Sequence, residues 1–291
     1  MDAGREVFKR EGRLTTLPRA IGVGETAFEY RRRVKACVVA ALRNEDAVEA
    51  LLEGGAAARG RADEYSDIDL MVVAPLAHAE RLFARTEAAL SDIAPIAHVW
   101  NVEPPGFADM AQRFYFLVNA PRFFALDCSI IPPTAVATFL ERERHGEPLV
   151  WLDRRGVVKA RPVDDGALSR RRQHRVGQLR GMVPVYAMLV DKELARGHPL
   201  EAFGFYQALV RALIELLGMR HRPERFDFGW RYVERELPAE AQSLIARHAF
   251  VADAAALAAS RVCVVREIDA LLAALAERVI NASGPGDRPS L

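Results

Sequence analysis

Lysine is nearly absent from this 291-residue sequence: Lys9, Lys35, Lys159 and Lys192 are the only four among 40 cationic side chains. The other 36 are arginines, a bias typical of GC-rich coding and one that supplies planar forks matched to phosphate. Cysteine is scarce too. Cys37, Cys128 and Cys263 are odd in number, widely spaced and set among apolar neighbours, which excludes a disulfide framework or a metal knuckle and reads as small buried residues of a reducing compartment. No charge sign is in excess: 40 Lys+Arg against 39 Asp+Glu leave a formal net charge of +1. That balance argues against a partner made of long nucleic acid and against a strong field for anionic membranes. No apolar run approaches the ~18 residues of a membrane span. The opening stretch, MDAGREVFKREGRL, lacks the hydrophobic segment of a secretory signal. The seven histidines show no HxxxH spacing, so they read as surface or packed imidazoles. The expectation is a soluble cytoplasmic protein.

What the sequence does hold is core material, 51% apolar against 27% charged residues, which excludes global disorder. Residues 1–24 are polar and glycine-punctuated and read as a loosely held arm. Helical spacing of Phe28, Val34, Val38 and Leu42 predicts a helix over 25–44. Val48–Leu52 reads as a strand running into the Gly54-Gly55 turn. SDIDLMVVAP is a strand ended by Pro75, and Leu76–Ile93 an amphipathic helix. Strand-like pieces follow at 97–102, 113–118 and 122–131, the last two joined by a turn at Asn119-Ala120-Pro121. Residues 134–145 read as helical and 151–158 as an edge strand. Beyond residue 164 only helical spacing remains, over 166–195, 199–219 and 239–280, before a frayed tail. The predicted organisation is an α/β domain, a mixed sheet flanked by helices, over 25–163, then an all-α helical bundle over 164–281, with the tail at 282–291.

The chemistry concentrates in Leu52–Val73, LEGGAAARGRADEYSDIDLMVV. Asp67 and Asp69 lie two apart in a β-compatible segment, so both carboxylates leave one face while Ile68, Leu70 and Val72 leave the other. Two such carboxylates repel unless a cation sits between them. Mg²⁺, which commonly takes one or two carboxylates plus substrate phosphates, is the natural occupant. Upstream, Gly54-Gly55 leads into Ala56–Arg59, small residues whose backbone N–H groups can approach a phosphate closely. Arg59 and Arg61 are further candidates for phosphate contact and equally for plain solvation. Gly55 and Gly60 have the spacing of a Walker-type loop, but Arg61-Ala62 supplies neither its Lys nor its Ser/Thr, which excludes it.

This stretch resembles the nucleotidyltransferases of the DNA polymerase beta superfamily, whose signature is a Gly-Ser or Gly-Gly turn, roughly a dozen residues, and then Asp-apolar-Asp/Glu-apolar. Gly54-Gly55 through Ser66-Asp67-Ile68-Asp69-Leu70 carries the likeness. It departs where a small hydroxyl residue often follows the glycine: here stands Ala56, unless Gly54-Gly55 is itself the Gly-Gly variant. The resemblance implies a nucleotide site at Gly54, Gly55, Ala56, Arg59 and Ser66. It also implies a third carboxylate on a neighbouring strand. In FFALDCSII, Asp127 alternates away from Phe124, Leu126, Cys128 and Ile130 and is the match; Glu103, in NVEPPG, is the alternative but sits at a turn. By the same resemblance Asp67, Asp69 and Asp127 are catalytic metal ligands for two Mg²⁺ ions, with ATP as co-substrate.

The segment RPERFDFGWRYVERELP (222–238) is similar to the helical domains of antibiotic-modifying nucleotidyltransferases. That likeness implies that the helical half walls the acceptor pocket, with Glu193, Glu201, Tyr206 or Gln207 as contacts, although each also reads as structural. Three functions fit the sequence. One is adenylylation of a small hydroxylated molecule such as an aminoglycoside or lincosamide antibiotic, which the neutral charge and helical half favour. A second is modification of tRNA or of a partner protein in a toxin–antitoxin setting. The third is a nucleotide-binding module with degraded catalysis, motivated by Ala56.

Overall fold

Thr26 opens the first helix. In the computed structural model, which describes residues 25–103 and 109–282, its hydroxyl accepts from the Glu29 amide at 3.2 Å while the Glu29 carboxylate accepts from the Thr26 amide at 2.9 Å, a reciprocal cap that fixes the start of α1 (Ala27–Leu42). The arm expected at 1–24 and most of the expected tail lie outside the described residues. Val34, Val38 and Leu42 recur every four residues and are buried together on one face of α1.

The chain divides into two units between Pro162 and Val163. The first is a mixed α/β domain. Its strands are β1 (Ala50–Glu53), β2 (Ile68–Val73), β3 (Ile96–Asn101), β4 (Ala111–Leu117), β5 (Leu126–Ile131) and β6 (Leu149–Asp153), with α2 (Ala79–Ser91) between β2 and β3 and α3 (Arg142–His145) before β6. They form one sheet in the order β3-β4-β5-β2-β1-β6. Only β2 and β5 run parallel; the other neighbours are antiparallel.

Alternation sorts the sheet residues into two faces. Leu51, Ile68, Leu70, Val72, Tyr115, Leu126, Cys128 and Ile130 pack in one core with Val34, Val38 and Leu42 of α1 and Leu82, Phe83 and Leu90 of α2. On the opposite face Ala50, Leu52, Val73 and Ile131 meet Val136 and Leu140. That cover reaches the Val73 and Ile131 ends of β2 and β5. Asp69 and Asp127 belong to the same face, nearer the strands' N-terminal ends.

Several boundaries differ from the sequence reading. The strand expected at 48–52 starts two residues later, because Val48 is held in a turn to Glu45. The strand expected from residue 122 begins at Leu126, since Phe124 closes a turn onto Pro121. The helix expected over 134–145 is a 3-10 turn at 136–139 and the single-turn α3.

The second unit is all helical: α4 (Asp165–Ala195), α5 (Pro199–His221), α6 (Val233–Glu236), α7 (Ala239–Ala249) and α8 (Ala254–Ala282). The helical spacing seen over 239–280 is two helices. Asp253 stops the run by accepting from the Ala256 amide at 2.8 Å, as an N-cap does. α5 is apolar on nearly every side, with Tyr206, Leu209, Leu213, Leu216 and Leu217 buried against Leu179, Val183, Ile245, Val264 and Ile268. It is the one helix among the described residues long and apolar enough to cross a membrane, and 61% of that window is buried within the protein, as expected of a bundle's central helix.

Candidate functional site

β2 and β5 pair in parallel with Asp69 directly opposite Asp127 and Met71 opposite Ser129. Partners across adjacent strands are about 4.8 Å apart and leave the sheet on the same side. Residues remote in sequence therefore set two carboxylates side by side on the face turned away from α1 and α2. Asp127 is held in place: the Gln112 side-chain amide of β4 donates to both of its oxygens at 2.8 Å, and the Ser129 hydroxyl donates to one of them at 3.3 Å.

The glycine turn comes against this pair from β1. The Gly54 amide donates to the Asp69 carbonyl at 2.9 Å, continuing the β1–β2 ladder one step past the strand. Gly55 has φ +54°, and a Cβ added to it would sit 1.7 Å from Oδ2 of Asp69. Two independent constraints thus demand glycine there: the left-handed backbone and contact with the carboxylate. At Gly54 an added Cβ would meet only the mobile end of Met71, at 2.8 Å. Ala56 precedes a 3-10 turn at Ala57–Arg59 that ends on left-handed Gly60.

Asp67 lies one residue before β2, half-buried. Its backbone carbonyl accepts from Nη2 of Arg31 at 3.0 Å. The same guanidinium nitrogen lies 3.5 Å from Oε1 of Glu53, whose other oxygen is 2.6 Å from Nζ of Lys35. Glu53, the last residue before the glycine turn, is 0% exposed, and Arg31 is 5% exposed. A buried ion triad therefore fastens α1 to both the start of the glycine turn and the first aspartate. On the helix side, burial and then the charge of Asp127 push the Cys128 thiol up to about 12, so it stays protonated and unreactive at neutral pH.

The remaining candidates fall elsewhere. The Ser66 hydroxyl donates to Asp63 at 2.7 Å and accepts from the Asp63 amide at 2.9 Å, closing the turn before Asp67. The Arg59 guanidinium donates to the carbonyls of Glu143 and Arg144, each at 2.8 Å, and so ties the glycine segment to α3. Glu103 is exposed at a bend after β3. In the helical unit Tyr206 is fully buried and donates to the His248 carbonyl at 2.7 Å. Glu193 is buried and gathers Lys192, Arg196 and His198, which together hold its carboxyl below the usual range, the His198 hydrogen bond foremost. Tyr206 belongs to the bundle's interior, whereas Glu193 lies near the end of α4 beneath its own exposed cations. Glu201 is exposed and Gln207 half-buried.

Among the described residues no group of three or more His, Cys, Asp and Glu side chains is gathered as a ready metal cage. No protein-family model matches the chain, and no curated protein matches it. The architecture, a mixed sheet flanked by helices followed by a helical bundle, is consistent with a generic nucleotidyltransferase-like fold.

Sequence reasoning missed Gln112, Arg31, Glu53 and Lys35. Gln112 carried one signal, a polar residue in a strand run at the parity opposite Tyr115 and Leu117. Glu53 carried another, a charge ending an otherwise apolar strand.

Proposed function

We propose that this protein is a Mg²⁺-dependent nucleotidyltransferase that moves AMP from ATP to a hydroxyl of a small molecule. The observation that carries the reading is the register Asp69↔Asp127, with Gly55 pressed against Asp69. Two acidic groups so placed form a pair that a divalent cation can bridge. The donor set fits Mg²⁺, which binds through one or two carboxylates and completes its shell with water and substrate phosphate, so no preformed cage of three is needed. Mg²⁺, when bound, neutralises charge on the triphosphate and lowers the pKa of the attacking hydroxyl.

Asp69 and Asp127 would be its ligands, joined by Asp67 from just before β2. The Gly54-Gly55-Ala56 backbone would bring the triphosphate against Asp69, since no side chain intervenes. Asp127, oriented by Gln112, would stand on the acceptor side and take the proton of the hydroxyl. The hydroxyl oxygen bonds to the α-phosphorus, the bond to the bridging oxygen breaks, and pyrophosphate leaves. Most of the rate would come from alignment and electrostatics.

The test mixes protein, Mg²⁺ and labelled ATP with a panel of aminoglycosides and lincosamides, then with bulk tRNA, and follows pyrophosphate. Release with a small acceptor, abolished by Asp69→Asn in a variant of native circular dichroism, is the expected outcome. Turnover near the parent level in that variant contradicts the assignment. Release only with RNA would shift the acceptor to a macromolecule, and binding without turnover would leave a nucleotide-binding module.

A further inference from the structure

The glycine turn is gripped from a second side. Ala58 is buried and held through both of its backbone groups: its amide donates to the Gly54 carbonyl at 3.0 Å, and its carbonyl accepts from the Glu147 amide at 2.8 Å. Gly146, immediately before Glu147, has φ +86° and ψ −168°, a region of backbone space essentially reserved for glycine. A Cβ added there would lie 2.5 Å from the Ala58 carbonyl oxygen and 2.8 Å from Cγ of Arg59. Nη2 of Arg59 donates to the Glu143 and Arg144 carbonyls, two of those that a helix end leaves without an intrahelical donor. The turn of α3 is itself pinned. The Arg142 amide donates to the Arg161 carbonyl and the Arg161 amide to the Leu140 carbonyl, each at 2.9 Å. Between the two grips Gly55, Ala56 and Ala57 are only half-buried. The segment is thus set against Asp69 at Gly55 and against α3 at Ala58 and Arg59, with its accessible stretch in the middle.

We infer that Gly146 and Arg59 are positioning residues of the transfer site: they act on the nucleotide through the glycine turn, by setting how closely the Gly54-Gly55-Ala56 backbone stands to Asp69. The inference rests on the transfer reading above and adds a brace to it. Two observations select a brace over a direct phosphate contact for Arg59. One of its guanidinium nitrogens meets two carbonyl acceptors at 2.8 Å each, the geometry of a tether. The same stretch of chain is met by Gly146, which has no side chain with which to recognise a ligand and serves only to let two backbones approach. Both contacts converge on the neighbours Ala58 and Arg59, so loosening either one frees the same segment. A displacement of about an ångström is enough to cost two orders of magnitude in rate. Fixing the turn from behind therefore bears on the reaction as well as on stability.

The test is a double-mutant cycle on the full chain with Arg59→Met, which keeps the aliphatic stem, and Gly146→Ala, read by calorimetric titration with ATP in excess Mg²⁺. Each single variant should weaken binding about tenfold, and the double variant should bind no worse than the weaker single one, because both substitutions release one segment. The Arg59→Met loss should persist from about 50 mM to about 500 mM salt, whereas a lost phosphate contact would shrink as salt screens it. Hydrogen exchange on the ligand-free chain gives a reading that needs no nucleotide: peptides covering residues 54–61 should exchange faster in Arg59→Met, with the rest of the domain unchanged. Should Gly146→Ala fail to fold, Arg59→Met alone carries the salt and exchange readings. Unchanged binding and exchange in Arg59→Met, a loss that fades with salt, or losses that add in the double variant overturn the brace. A parent chain that binds no ATP sinks the brace and the transfer reading together. Weaker binding with faster exchange, but no pyrophosphate release with any acceptor, upholds the brace and sinks the transfer reaction alone.

Discussion

Nη2 of Arg31 lies 3.5 Å from Oε1 of Glu53 and at the same time donates to the Asp67 carbonyl at 3.0 Å. A helix residue and a strand residue, both buried, therefore share one charge contact that also fixes the backbone where the aspartate pair begins. Burying ions is expensive and is tolerated only when they are paired. Glu53→Gln should leave Arg31 and Lys35 without their counter-charge and lower stability by about 3–5 kcal/mol. Urea unfolding followed by circular dichroism measures it, and a loss below about 1 kcal/mol would show that the triad is solvated in solution.

Gly55→Ala is expected to separate function from fold. The positive φ costs an alanine roughly 1–2 kcal/mol, while the new methyl occupies the place of the Asp69 carboxylate oxygen. Magnesium-dependent turnover should fall about a hundredfold, the scale of an ångström-sized misplacement, in a protein that still unfolds cooperatively. Thermal melts and pyrophosphate release on the same preparation decide it.

Gln112 acts on Asp127 from the neighbouring strand. Removing both hydrogen bonds with Gln112→Ala should loosen the Asp127 carboxylate and weaken Mg²⁺ affinity by about 10–100-fold, the usual effect of losing a partner behind a ligand. The readout is the Mg²⁺ concentration giving half of the thermal upshift in the parent chain. Asp69→Asn should lose the upshift altogether.

Acid should weaken the helical unit through His248. The ring is 1% exposed, and its Nδ1 lies 2.7 Å from the Ser260 hydroxyl. Burial, then the charge of Arg247, holds its pKa below the ordinary value. The unfolded chain therefore binds a proton that the folded one refuses, and stability declines as pH falls from about 6.5 toward the folded value. Melting temperatures between pH 8 and pH 5 should drop in the parent, with a shallower slope in His248→Asn.

Parity made much of this legible before any coordinates. The two-residue spacing of SDIDL and the alternation of FFALDCSII sent Asp69 and Asp127 to the polar sides of their strands, and both lie on the face away from α1 and α2. The two-part organisation followed from the change of period after residue 164. What parity cannot supply is register. That Gln112 reaches Asp127 depends on which strands are neighbours and how far each has slid. The triad of Arg31, Lys35 and Glu53 was hidden for a related reason: a charged residue on a helix reads as solvated until the helix is docked. The break in 239–280 escaped because AFVADAAAL contains neither glycine nor proline, although Asp253 is a recognisable cap in retrospect.

The one parallel pairing in the sheet has a consequence for biogenesis. β2 and β5 become neighbours only after α2, β3 and β4 have been laid down between them in the chain, so the acidic pair cannot exist in any nascent or partly refolded species lacking that crossover. Long-range closure of this kind is slow compared with helix growth. A chain diluted from denaturant would recover its helical signal first and the proposed cation site last, leaving an interval in which it is structured yet incomplete.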